Sequence, residues 1–341
     1  MRFFPLLLVF FMFSCKTVST RTEADSAQDT PEVTVVSDSD RSGTHLNYAT
    51  EESVSVNLNV LVSDDLKGRK AGEEGIAIAA EYLVSVLEKH DVQPYFESYL
   101  DTLDNFDGTA YNVVGWVEGR DPVLKNEVVI IGAHYDHIGI QEPVEGDSIA
   151  NGANDNAAGS TAVLEFAKFF GDQSLNRRSV IFAFFSAEEA GLLGSVHLAK
   201  KLKEAGVNVY TMVNFEMIGV PMKRDYATYL TGYETSNMAE FMNTTGGSNL
   251  VGLLPKAKEY QLFKRSDNYP FYKQFNIPAQ TISTFDFENY AYYHHVDDEG
   301  DKLDIVHMTA LINRMIPVLE AVINSDEGAI KLTPVVSGQQ N

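Results

Sequence analysis

The stretch Val128-Val129-Ile130-Ile131-Gly132-Ala133-His134-Tyr135-Asp136-His137 decides the fold. Its first part is an unbroken apolar run, the pattern of a strand covered by helices on both faces, since a half-exposed strand would alternate. Two further runs of the same kind occupy residues 179–185 and 209–215. Between and before them lie helical patterns. Residues 73–89 place Ile76, Ala79, Ala80, Leu83, Val84 and Leu87 at helical spacing with charges on the opposite face, and residues 160–170 and 191–204 also read as helices. Strands alternating with helices predict an α/β fold, a three-layer α/β/α sandwich around a mostly parallel central sheet.

In such sheets ligands gather beyond the carboxyl ends of the strands. Each apolar run here ends on chemistry-bearing residues. His134, Asp136 and His137 follow the first run, Glu188 and Glu189 the second, and Glu216 the third. Asn154-Asp155-Asn156 precedes the helix that begins near Ala157, and His294-His295 follows a late aromatic loop. Imidazole and carboxylate donors without a thiolate suit zinc in an open catalytic site, with manganese or cobalt as substitutes. Two histidines and three carboxylates suffice for two metals sharing one bridging carboxylate, an arrangement that activates water and stabilises an oxyanion. Adjacent residues at a strand end point to different sides, so one of Glu188 and Glu189 can ligate while the other moves a proton.

Over residues 60–304 these segments resemble the zinc-dependent peptidase family M28, its aminopeptidases and relatives, with their zinc-peptidase, phosphorylase-hydrolase-like fold. The likeness opens with Gly68-Arg69-Lys70-Ala71-Gly72, similar to an early Gly-Arg-x-x-Gly element of the family. It implies that His134 and Glu216 hold one zinc, Glu189 and His294 the other, and that Asp155 bridges them. It implies Asp136 behind His134 as its orienter, and Glu188 as the general base that takes a proton from a bridging water. Tyr293 resembles a tyrosine that hydrogen-bonds the tetrahedral intermediate. His294 is chosen over His295 because His294, Asp298, Asp301, Lys302 and Asp304 fit the family register. Glu216 stands where the family usually has aspartate. The aromatic loop 285–293 either walls a pocket for the substrate's first side chain or packs against the body.

The 341 residues are 44% hydrophobic, enough for one large domain, expected at 51–325. A net charge of −22 argues against nucleic-acid partners. Residues 1–15 carry Arg2 and then an apolar run too short to span a bilayer, the shape of a signal peptide. Cys15, the single cysteine, sits where bacterial lipoproteins are acylated, so a lipid anchor at the outer membrane, on its periplasmic side, is expected. Residues 16–50 read as a disordered polar tether, and 326–341 as a surface tail. His45, His90, His197 and His307 match no motif and read as surface or helix residues. His137 lies near the site without an assigned role. No Gly-x-Ser-x-Gly elbow, phosphate loop or His-Glu-x-x-His helix occurs.

The expected function is a two-zinc aminopeptidase acting on peptides with a free N-terminus. A glutaminyl cyclase-like acyltransferase, a carboxypeptidase and a non-catalytic binding ectodomain on the same fold are the alternatives.

Overall fold

The computed structural model describes residues 47–334; the expected signal peptide, Cys15, His45, most of the tether and residues 335–341 lie outside the described residues. Helices α1 (Glu51–Leu61) and α2 (Glu74–Lys89) come first. Strands β1 (Gln93–Pro94), β2 (Leu100–Thr102), β3 (Tyr111–Val117) and β4 (Glu127–His134) follow, then a hairpin of β5 (Gly139–Val144) and β6 (Asp147–Ala150). Next are α3 (Gly159–Gln173), β7 (Ser179–Phe185), α4 (Leu193–Glu204), β8 (Asn208–Phe215) and β9 (Thr228–Leu230). The chain finishes with α5 (Met238–Gly246), β10 (Val251–Gly252), α6 (Pro255–Glu259), α7 (Asn268–Phe275), β11 (Ala279–Ser283) and α8 (Ile305–Asn324).

The sheet runs β1-β3-β7-β4-β8-β11-β9-β10, with β2 on β3. Its centre, β7-β4-β8-β11, is parallel, and the antiparallel pairs lie to either side. Strand periodicity divides the unbroken apolar runs between two cores. Val129, Ile131, Val180, Phe182, Val213 and Phe215 face the core built with α1, α2, α3, α5 and α8. Val128, Ile130, Ile181, Ala183, Val209 and Met212 face the core built with Leu198 and Leu202 of α4 and Phe271 of α7. This is the expected three-layer sandwich. Helix α8 is long and apolar enough to cross a membrane by composition, but Leu311, Ile312, Met315, Leu319 and Val322 are buried against the fold, which accounts for its apolarity.

Packing against the body is seen just outside residues 51–325 at both ends. Ala49, assigned to the tether, is buried, and its main chain exchanges two hydrogen bonds with the Asn313 side chain (2.9 and 2.8 Å). Thr50 caps α1 by accepting from the Ser53 amide. At the other end Ile330 is buried and Leu332 bridges to Ser236, so the tail's first residues are part of the body, because an apolar side chain there meets an open stretch of core. His197 is a helix residue, one of the two placements expected for it. It is buried on α4 between Asp104 (2.8 Å) and Asp101 (3.3 Å), which satisfy both ring nitrogens and make its burial tolerable.

Candidate metal centre

The four parallel strands end side by side, so the residues after them converge. His134 closes β4 and is buried, with Nε2 3.3 Å from Asp155 Oδ1. Its Nδ1 lies 3.2 Å from the Asp136 carbonyl oxygen and 3.7 Å from that residue's carboxylate. The Asp136 carboxylate accepts instead from the amides of Glu188 (3.1 Å) and Glu189 (3.3 Å), fastening the end of β4 to the turn after β7. Asp155 lies in the segment before α3, whose approach is fixed by Asp298. That carboxylate accepts from the amides of Asn154 (2.7 Å) and Asp155 (3.0 Å), while the Tyr290 hydroxyl donates to it.

Glu189 faces two imidazoles, His137 Nδ1 at 3.1 Å and His294 Nε2 at 3.0 Å, and His294 Nε2 is also 3.3 Å from Asp155. Glu188 points the other way, into a cavity of about 100 Å³ that Asp155, Glu216 and Tyr293 also line. Glu216 follows β8 and accepts from the Ser266 hydroxyl. The Tyr293 ring stacks on His294, with centroids 4.0 Å apart. His134, Asp136, Asp155, Glu188, Glu189, Glu216, Tyr293 and His294 thus gather beyond the carboxyl ends of the central strands. The aromatic loop divides its tasks. Phe285, Phe287 and Tyr293 wall the cavity, whereas Tyr290 is buried against Asp298.

Three residues carry more than the sequence reading gave them. His137 is buried, and one donor atom from each of His137, Asp155 and Glu189 lies within 4.8 Å of the others. Its signal was a second imidazole three residues after His134. Asp267, fully buried, had no signal, because an aspartate before a helix reads as a cap, although it makes no capping hydrogen bond to α7. Arg69 is buried beneath the centre, and its guanidinium donates to the carbonyls of Tyr135 (2.8 Å), Asn151 (2.6 Å), Gly152 (3.0 Å) and Leu61. It ties together the two segments that deliver His134 and Asp155. Gly68 makes this docking possible, since a Cβ there would lie 2.4 Å from the Ala150 carbonyl oxygen.

The electrostatics are those of carboxylates crowded in a poorly solvated space. Burial, with the charges of Asp267, Glu216 and Glu189, holds Glu188 well above the usual carboxyl range. Burial and Asp155 push Glu216 up to about 7, and burial and Glu216 push Asp267 up to about 7. Burial would lower His134, yet Glu188, Asp136 and Asp155 together hold it well above an ordinary imidazole. Hydrogen bonds to Asp155 and Glu189 carry His294 up to about 10. A site that draws protons this strongly has an excess of negative charge for a divalent cation to neutralise. The buried His137 Nε2, without a hydrogen-bond partner among the described residues, is a further free donor. Nitrogen and oxygen donors without sulfur fit zinc.

The sequence profile of Peptidase family M28 matches residues 112–318. A probable leucine aminopeptidase of Arthroderma benhamiae is 31% identical over 195 residues, 55% of this chain and 50% of that protein. The chain spans about half the length of the first curated relatives it matches. Among solved structures, the LapA aminopeptidase of Legionella pneumophila superposes with a TM-score of 0.67 at 19% identity, covering 89% of this chain and 78% of that one. A glutaminyl cyclase of Porphyromonas gingivalis superposes at 0.62 with 16% identity, covering 81% and 100%. At these identities the structural likeness establishes the fold.

Proposed function

Because the chain belongs to peptidase family M28, we propose that it is a two-zinc aminopeptidase that removes the first residue of peptides with a free N-terminus. The observation that carries this reading is the separation of Glu188 from Glu189. One faces two imidazoles, and the other is free in the cavity with its proton affinity raised. His134, Asp155 and Glu216 would hold one zinc and Asp155, Glu189 and His294 the other; bound, the pair polarises the scissile carbonyl and acidifies water. His137, through its contact to Glu189, sets that carboxylate's orientation.

Glu188 takes a proton from the attacking water as its oxygen bonds to the carbonyl carbon. The same carboxyl then returns the proton to the leaving nitrogen as the carbon–nitrogen bond breaks. The Tyr293 hydroxyl, at the cavity wall, donates to the oxygen that gains charge between these steps. We also infer an exported protein held by lipid on Cys15 at the periplasmic face of an outer membrane. Cys15→Ser should then move it from the membrane fraction to the soluble one, and an unchanged distribution overturns that placement.

The test of activity follows the masses of three peptides incubated with the full chain and zinc: one with a free leucine terminus, its acetylated form, and one beginning with glutamine. Stepwise loss of the first residue from free termini only, stopped by a chelator, is expected. Loss of ammonia from the glutamine peptide alone, or trimming of the acetylated peptide from its far end, would replace this reading with a cyclase or a carboxypeptidase.

A further inference from the structure

The cavity that holds Glu188 is not lined as a pocket for an aliphatic side chain. Phe285 and Phe287 supply apolar wall, but Thr231, Thr281 and Ser283 bring hydroxyl groups to its lining. Arg265 is the one cation in that lining. Its guanidinium has no hydrogen bond or ion pair with any of the described residues. Scarcity of carboxylates does not explain this, because the chain carries 48 acidic against 26 basic residues.

Three cations on the segments around the cavity find carboxylates, while Lys223 and Lys264 have none among the described residues. Arg224 pairs with Asp286 at 3.0 Å, Lys256 with Glu288 at 2.7 Å, and Lys258 with Glu234 at 2.7 Å. Asp286 and Glu288 alternate with the two phenylalanines of the wall, yet both are committed to other cations and leave Arg265 open. A guanidinium presents a planar fork of donors matched to a carboxylate, and such charge-assisted hydrogen bonds are stronger than neutral ones. Arg265 is exposed at the cavity rim, and a leucine in the cavity would offer that fork nothing, whereas a carboxylate would give it charge-assisted hydrogen bonds.

We propose that Arg265 makes the cavity a receptor for an N-terminal residue with a carboxylate side chain, glutamate in preference to glutamine or leucine; this rests on the aminopeptidase reading. Glutamate and glutamine have the same length and shape, so their comparison isolates the charge that Arg265 would meet. The relative named a leucine aminopeptidase leads to the opposite expectation.

The test uses the zinc-loaded full chain and three tripeptides amidated at the C-terminus, Glu-Ala-Ala, Gln-Ala-Ala and Leu-Ala-Ala, so that the side chain carries the one carboxylate. In the unaltered protein kcat/KM should favour glutamate over glutamine by roughly three- to fivefold, the worth of an ion pair at an exposed guanidinium. In Arg265→Gln that ratio should fall to about one, and Arg265→Lys should retain part of it. A glutamate-to-glutamine ratio unchanged in Arg265→Gln, or a preference for leucine over glutamate in the unaltered protein, overturns the assignment while leaving the aminopeptidase in place. If none of the three peptides is cut, the aminopeptidase reading falls and this assignment with it.

Discussion

Glu188 and Glu189 are neighbours in the chain and part company in the site, and single substitutions can separate their duties. Glu188→Gln removes a proton carrier and no proposed ligand, so turnover should fall by roughly a hundred- to ten-thousand-fold while zinc per chain stays constant. Loss of zinc from that variant, measured by atomic absorption, would instead make Glu188 a ligand. Arg69 gives a second test. Arg69→Lys keeps the charge but reaches fewer of the four carbonyls, and the stranded carbonyls should cost about 2–4 kcal/mol in chemical denaturation and weaken zinc retention on dialysis. An unchanged denaturation midpoint would show that Arg69 is not a structural tie. At this scale the convergence of His134, Asp155, Glu189, Glu216 and His294 was legible because His134, Glu189 and Glu216 end or follow apolar runs, Asp155 precedes a helix and His294 follows the aromatic loop. Arg69 was visible as part of the Gly-Arg-x-x-Gly element but not its contacts, and Asp267 owes its place to packing across the fold that no local pattern announces.

Elements are held at a few close contacts. Gly75 opens α2 against the turn Asp64–Arg69, where an added Cβ would lie 1.7 Å from the Leu66 carbonyl oxygen. Gly75→Ala should therefore cost about 3 kcal/mol by pushing the helix off that turn, and a denaturation curve matching the parent would contradict the packing. On the other face, His197 fixes α4 to β2 and the loop after it. Asp101 and Asp104 face its ring nitrogens, Lys201 and Lys200 on α4 reach the same carboxylates, and Asn112 on β3 donates to Asp101. The bond to Asp101 outweighs burial and raises His197 above 6.5. A raised imidazole stabilises the fold fully below its unfolded value and ceases to do so as pH rises through the folded one. The stability gap between the parent and His197→Gln should thus be wide near pH 5 to 6 and close at alkaline pH; a constant gap would sink the clamp. The parallel strands were visible in the sequence because burial on both faces leaves no alternation. Strands β1, β2, β9 and β10 have two or three residues each, too few to carry a period.

For the molecule as a whole, zinc should act as a stabilising ligand, since the crowded carboxylates are tolerated better beside a cation. Free zinc at a hundred times its dissociation constant adds about 2.7 kcal/mol, and for a domain of this size that corresponds to a melting temperature roughly 4–5 °C higher. Scanning calorimetry with and without a chelator checks this, and coincident curves would mean that the centre holds no metal. The sheet order explains why the centre is also a checkpoint of completeness. Its residues reach from Arg69 to His294, and strands distant in sequence lie side by side. A nascent chain still emerging from the ribosome lacks His294 and the walls that follow β11, so on the proposed reading its metal centre is incomplete. A peptidase built this way would gain its activity only with the last part of the chain.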